Sequence, residues 1–172
     1  IIEKLAFASD VDSVVGARGG TATGAYSGFS SSTHGYAAGG GDGISRIDKW
    51  SFTSDGAATE VSDVLDQARY GAGGHSSPTA GYCSGGYSTP YYYNIIEKMP
   101  FATDVSADHN ANLLRAPDTA GSNSSTTHGF SCGGNYSGYQ SQIDKFPFAT
   151  ETDATDIGDT PEDKSGYNGC GQ

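Results

Sequence analysis

His34-Gly35-Tyr36-Ala37-Ala38-Gly39-Gly40 returns as Ala80-Gly81-Tyr82-Cys83-Ser84-Gly85-Gly86 and again as His128-Gly129-Phe130-Ser131-Cys132-Gly133-Gly134. Between these stretches runs a second family, Ile-acid-Lys-hydrophobic-X-Phe, which begins at Ile2, Ile47, Ile96 and Ile143, at intervals of 45, 49 and 47 residues. The two families always alternate in the same order, so the chain is a tandem repeat. A period of this length marks a solenoid, a propeller or another array whose units bury their apolar faces only against one another.

Each family alternates like a strand, whose successive side chains point to opposite faces. In the diglycine family one side carries Gly35, Ala37 and Gly39 or their counterparts, all small, and the other is led by Tyr36, Tyr82 or Phe130. Glycine inside a strand is costly unless something packs closely on it, and the expected occupant is a neighbouring unit. In the second family Leu5 and Phe7, Trp50 and Phe52, Met99 and Phe101, and Phe146 and Phe148 form an expected buried face. Ser or Thr followed by an acid then ends the strand, as in Ser54-Asp55 and Thr103-Asp104. A weakly apolar piece follows (Val14-Val15, Val61 and Val64, Leu113-Leu114, Ile157), then a cation: Arg18, Arg69, Arg115 or Lys164. Four short extended pieces per unit predict an all-β fold of four-stranded antiparallel blades. About four blade equivalents would make a single repeat domain over residues 1–172, with units starting near Ile2, Ile47, Ile96 and Ile143 and the last one incomplete.

Composition agrees with short strands and many turns: 26 Gly, 6 Pro and 35% hydrophobic residues. Disorder is the competing reading of so polar a chain, but aromatics recur in phase in every unit. With 9 Lys and Arg against 20 Asp and Glu the net charge is −11. Such a surface repels phosphate and anionic lipid, so neither nucleic acid nor an anionic membrane is an expected partner. No apolar stretch approaches the roughly 18 residues of a spanning helix. The three cysteines, Cys83, Cys132 and Cys170, include no C-x-x-C pair and support no zinc site. The chain starts at Ile1, so a removed leader and a longer polypeptide both stay open.

The order Arg69-X-Gly71-Ala72, then Gly85-Gly86, then Ile96-Glu97 resembles the Kelch repeat. The pattern departs where Leu5, Trp50, Met99 and Phe146 stand in place of the usual Tyr, and no regular Trp follows. The Ser/Thr-rich style also resembles Kelch-like arrays in phage virion proteins. The resemblance implies a β-propeller, or a segment of one, with blades round a central axis. It also implies a shortfall, since three diglycine strands serve four strands of every other kind. A continuing polypeptide or a neighbouring subunit would then supply the missing strand.

His34 and His128 share one repeat position, filled by Ala80 in the second unit, which points to a structural role. No Gly-X-Ser-X-Gly elbow sits between a strand and a helix, and Asp153, Asp156 and Asp159 lack the spacing of a calcium loop. No catalytic residue, metal or cofactor is expected. The binding candidates lie in the loops after each diglycine: Tyr87, Tyr91, Tyr92 and Tyr93 in one, Tyr136 and Tyr139 in the next. Tyrosine offers a flat apolar face and a polar tip, suited to protein contacts and to sugar stacking. The expected role is a non-enzymatic structural and interaction module of a virion or other extracellular assembly, with other subunits or copies of itself as partners. A glycan-binding module is the alternative, and a propeller enzyme acting on glycans stands third.

Overall fold

The computed structural model describes residues 2–4, 14–17, 24, 26–41, 44–54, 56–61, 65–105 and 107–164, with backbone only at 2–4, 14–17, 107–110 and 164. These residues contain no helix. Strands β1 (Ile2–Lys4) and β2 (Val14–Ala17) pair antiparallel. The first four-stranded sheet follows as β3 (Ser27–Ser30), β4 (His34–Ala38), β5 (Ile47–Ser51) and β6 (Thr59–Glu60). In the second, β7 (Gly73–Ser76) and β8 (Ala80–Ser84) lead through a small hairpin, β9 (Tyr87–Ser88) and β10 (Tyr91–Tyr92), to β11 (Ile95–Pro100) and β12 (Ala107–Asn112). The third comprises β13 (Gly121–Ser124), β14 (His128–Cys132), β15 (Gln140–Pro147) and β16 (Thr155–Lys164). All three are antiparallel meanders in chain order, so the four expected pieces per unit do pair as one sheet.

Local chemistry explains the recurring residues. Ser31, Ser77 and Ser125 sit in the turn from first to second strand, where each hydroxyl accepts the N–H three residues on: His34 at 3.0 Å, Ala80 at 2.9 Å and His128 at 3.0 Å. This is the hydroxyl-to-backbone turn that favours serine. The diglycines are left-handed, with φ of 73° and 127° at Gly39-Gly40, 68° and 103° at Gly85-Gly86, and 64° and 103° at Gly133-Gly134. Only glycine adopts such angles without strain. The second glycine then donates its N–H to the segment entering the next sheet: Gly40 to Arg69 O at 3.1 Å and Gly86 to Pro117 O at 2.8 Å.

The cores lie between consecutive sheets. Phe29, Tyr36 and Ile47 of the first sheet bury against Cys83 and Met99 of the second, while Tyr82 and Ile96 of the second bury against Phe146 and Phe148 of the third. Phe101 stacks on Tyr36 with ring centroids 5.3 Å apart, and Phe148 stacks on Tyr82 at 4.4 Å. The shared burial that a tandem repeat demands is thus a face-to-face layer.

Two expectations need correction. The space beside the bare glycines is only partly given to a neighbouring unit: the segments entering the next sheet meet Gly39 at Arg69 O and Gly85 at Pro117 O, whereas Trp50 covers Gly35 and Phe146 covers Gly129, each from the paired strand of the same sheet. Of these three ring-covered glycines only Gly81 takes its ring from another sheet, Phe29 of the preceding one, because the residue paired with it, Met99, is an unbranched chain that leaves room. The third-strand aromatic face is also unevenly buried. Phe146 and Phe148 are buried, but Phe52 is 43% exposed and Trp50 half-buried. Leu5 and Phe7 lie outside the described residues.

The first strands of the three sheets converge, and Gly74 packs so closely on the Gly28 backbone that any Cβ would overlap it. Gly74→Ala is therefore expected to cost about 1–3 kcal/mol by overpacking. Urea denaturation measures this, and an unchanged midpoint would contradict the close approach.

Candidate functional site

The loop after the second diglycine is built by its turns. Gly85 and Gly86 reverse the chain into β9, whose Tyr87 exchanges backbone hydrogen bonds with Tyr70 at 2.9 and 3.0 Å. Thr89 and Pro90 turn the hairpin, and Tyr93 N–H returns to Gly86 O at 2.9 Å. In the third sheet the counterpart loop is held by Tyr136 N–H on Gly138 O at 3.0 Å and by the Gln140 amide on the same carbonyl at 3.0 Å. Ser137 and Gly138 supply the left-handed angles, φ of 55° and 129°.

These two loops bring four rings into one run. Tyr70 meets Tyr87 edge-on at 5.4 Å, Tyr87 meets Tyr92 at 4.6 Å, and Tyr92 meets Tyr136 edge-on at 5.6 Å. Edge-to-face pairs of this spacing stabilise each other by about 0.5–1.5 kcal/mol beyond burial. The run crosses from the second sheet to the third. In the same loops Tyr91 and Tyr139 are 65% and 62% exposed, and Tyr92 and Tyr136 remain partly open to solvent. Tyr93 stands apart, its hydroxyl 3.5 Å from Gln67 Oε1.

The run contains three of the residues the sequence singles out, Tyr87, Tyr92 and Tyr136, together with Tyr70, which the sequence does not single out. The backbone bridge to Tyr87 makes Tyr70 a member, and register of that kind has no local sequence signal. Burial, then the nearby Asp118 carboxylate and the Tyr87 and Tyr92 hydroxyls, push the Tyr70 phenol up from its ordinary range, so it stays a neutral hydrogen-bonding group. Asp118 Oδ1 is buried without a hydrogen-bond partner among the described residues, and burial pushes its carboxyl up.

No protein-family model matches this chain, and no curated protein matches it. The residues themselves must carry the reading.

The remaining candidates are occupied by the fold. His34 and His128 each bond the preceding threonine hydroxyl, at 2.9 and 2.8 Å. Asp153 accepts the Asn112 N–H at 2.8 Å, Asp156 accepts from Gly158 and Asp159 from Ser141. Among the described residues no group of three or more His, Cys, Asp and Glu side chains is arranged to hold a metal ion. Cys83 is buried, and its thiol is pushed up to about 11, chiefly by that burial; Cys132 is half-buried. Cys170 lies outside the described residues. Clefts open among the described residues. One of 380 Å³, where the first strands converge, is lined by hydroxyls such as Ser76, Ser124 and Thr126. Another, of 520 Å³, lies beside Lys49, Trp50 and Asp104, where Lys49 Nζ is already paired with Asp104 Oδ2 at 2.6 Å.

The acids of the second, third and fourth Ile-acid-Lys segments, Asp48, Glu97 and Asp144, are buried. Glu97 Oε1 accepts the Asp66 N–H at 2.6 Å, and Asp144 Oδ2 accepts the Leu114 N–H at 3.0 Å. Asp66 and Leu114 belong to the segments that enter the second and third sheets, so each acid anchors the incoming chain. Asp48, equally buried, is paired with Arg46 Nε at 2.6 Å.

Proposed function

We propose that this chain is a non-enzymatic interaction module, a Kelch-like β-propeller or propeller segment in a virion or other extracellular assembly, and that its tyrosine surface docks another protein subunit. The observation that carries the reading is the run Tyr70–Tyr87–Tyr92–Tyr136, with Tyr91 and Tyr139 exposed in the same loops. Large aromatic rings with polar tips, held rigidly at little entropic cost, are what protein interfaces concentrate at their centres. The meander sheets with converging first strands support the propeller. The acidic surface supports a protein partner rather than nucleic acid.

A photo-crosslinking residue installed at position 91 or 139 is expected to capture a neighbouring subunit in the native assembly. The Tyr92→Ala/Tyr136→Ala double variant is expected to weaken that contact by about 2–4 kcal/mol, while losing the two ring pairs of Tyr92 lowers the melting temperature by only a few degrees and leaves the circular dichroism unchanged. Crosslinks confined to the chain itself would remove the reading. Exposed rings with hydroxyl tips also suit stacking on sugars, so the intact chain belongs on a glycan array. Binding there that vanishes in the double variant would favour the glycan alternative.

A further inference from the structure

Two locally unfavourable features meet beside the tyrosine run. Tyr70 and Asp118 hold the same place in consecutive sheets, each bridged to the residue that follows a diglycine, Tyr87 and Asn135. The next positions, Gly71 and Thr119, are both left-handed, with φ of 66° and 53°. Glycine adopts this angle freely, whereas a β-branched residue does so only where its surroundings hold it. Thr119 is held by its N–H on Gly71 O at 2.8 Å and its hydroxyl on Asp118 O at 2.7 Å. The Asp118 carboxyl thereby sits over Gly71, where any Cβ would overlap Oδ1. That oxygen is buried with no hydrogen-bond partner among the described residues, although buried polar atoms are normally paired. Only Oδ1 of the two oxygens is so enclosed, and the residue as a whole is half-buried, which leaves the carboxyl open to approach.

Among the described residues no Lys or Arg answers this carboxylate. Arg69 pairs with Glu97, Arg46 with Asp48 and Glu60, and Lys49 with Asp104, while Arg115 donates to Gln140 Oε1. Strain beside an uncompensated charge lowers stability, and such costs persist where binding uses them. The surroundings of Asp118 fit one chemistry. It lies close enough to Tyr70 for its charge to push that phenol up, its bridge partner Asn135 precedes Tyr136, and Tyr87 and Tyr92 complete the run between those two rings. Ring faces and a carboxylate both attract a cation, most strongly where water is excluded. All of these residues belong to the second and third sheets or to the segments that enter them.

We infer that the tyrosine surface receives a basic side chain of its protein partner, whose cationic head meets the Asp118 carboxylate while the rest lies against the rings of Tyr70, Tyr87, Tyr92 and Tyr136. This rests on the docking role of that surface and adds the chemistry of what docks there. A guanidinium fits best, because its plane stacks on a ring while its edge forks to a carboxylate. The net charge of −11 steers a basic partner to the same face.

Titration of the whole chain with N-acetyl-arginine amide at constant ionic strength, followed by the NMR signals of the tyrosine rings, tests this, with N-acetyl-citrulline amide as the uncharged isostere. The expected result is a saturable shift of the Tyr70, Tyr87 and Tyr92 rings by the arginine derivative. Binding is about 10-fold weaker for the citrulline derivative and about 10-fold weaker in Asp118→Asn, since one charge-assisted contact is lost in each case. Asp118→Asn also keeps its circular dichroism and does not lower the urea midpoint, because it removes a charge that burial disfavours. Equal shifts by the two derivatives would overturn the inference, as would an Asp118→Asn variant that binds like the natural chain or unfolds at lower urea. In the native assembly, capture from position 91 or 139 that persists undiminished in Asp118→Asn removes the cation and leaves the docking role standing, so the two readings fail separately.

Discussion

Arg69→Met is expected to lower stability by about 3–5 kcal/mol, enough to unfold much of a marginally stable domain. Arg69 is 0% exposed and Glu97 2% exposed. The guanidinium is ion-paired with Glu97 Oε2 and donates through Nη1 to Gln67 O at 3.1 Å. Its Nε has no hydrogen-bond partner among the described residues. The pair is thus expensive to bury and holds its place because each charge answers the other. Burial pushes the Glu97 carboxyl up, and Arg69 together with the Asp66 N–H pulls it part of the way back. Removing Arg69 leaves burial unopposed by the guanidinium, and the carboxylate loses its partner while still holding the Asp66 N–H.

A pH signature follows. A carboxyl raised in the folded state favours folding as pH falls, because the folded form takes up the proton first. The deficit of Arg69→Met relative to the natural chain therefore narrows in mild acid. Adding Glu97→Gln to the variant removes the stranded charge and is expected to recover most of the loss. Urea titrations of the single and double variants measure both effects. A single variant within about 1 kcal/mol of the natural chain would show that this ion pair is not what seats the second sheet.

The second large effect concerns His75, which lies wholly between the second and third sheets. Its Nδ1 is 3.0 Å from the Asn123 carbonyl, which can only accept, so Nδ1 carries the proton and Nε2 accepts from the Ser84 hydroxyl at 2.8 Å. The ring also meets Phe146 edge-on at 4.9 Å. Burial lowers its pKa from 6.5 to about 4. The unfolded chain thus takes up a proton below about pH 6.5 that the folded chain refuses until about pH 4. Stability from this group is full at neutral pH and is lost as pH falls through that window, by about 3 kcal/mol in all. The raised carboxyls of Glu97, Asp118 and Asp144 act with the opposite sign. The comparison with His75→Gln isolates the histidine, since glutamine keeps both a donor and an acceptor but cannot charge. Melting temperature against pH is expected to fall more steeply for the natural chain than for the variant. Parallel curves would show that His75 charges freely in place.

Much of the site was legible before any coordinates. Tyr87, Tyr92 and Tyr136 stand out because aromatic residues gathered after a diglycine turn fall in the connections between sheet strands. Tyr70 was illegible because its membership depends on a backbone bridge to a residue in a different loop. The buried acids were half-legible. Glu97 and Asp144 sit on the apolar side of an alternating strand, but their partners are N–H groups of Asp66 and Leu114, about thirty residues earlier in the chain. Backbone donors leave no trace in residue type.

The repeat alone determined the four-strand unit, the sites of its turns and the need for units to share their burial, since periodicity and turn chemistry are local properties of the chain. Tertiary structure decided which ring covers which glycine, which carboxylate is buried and where the tyrosines converge. Those outcomes depend on how one sheet's register meets the next, a relation among residues tens of positions apart in which Trp50, Met99 and Phe146 hold one repeat position and meet three different surroundings.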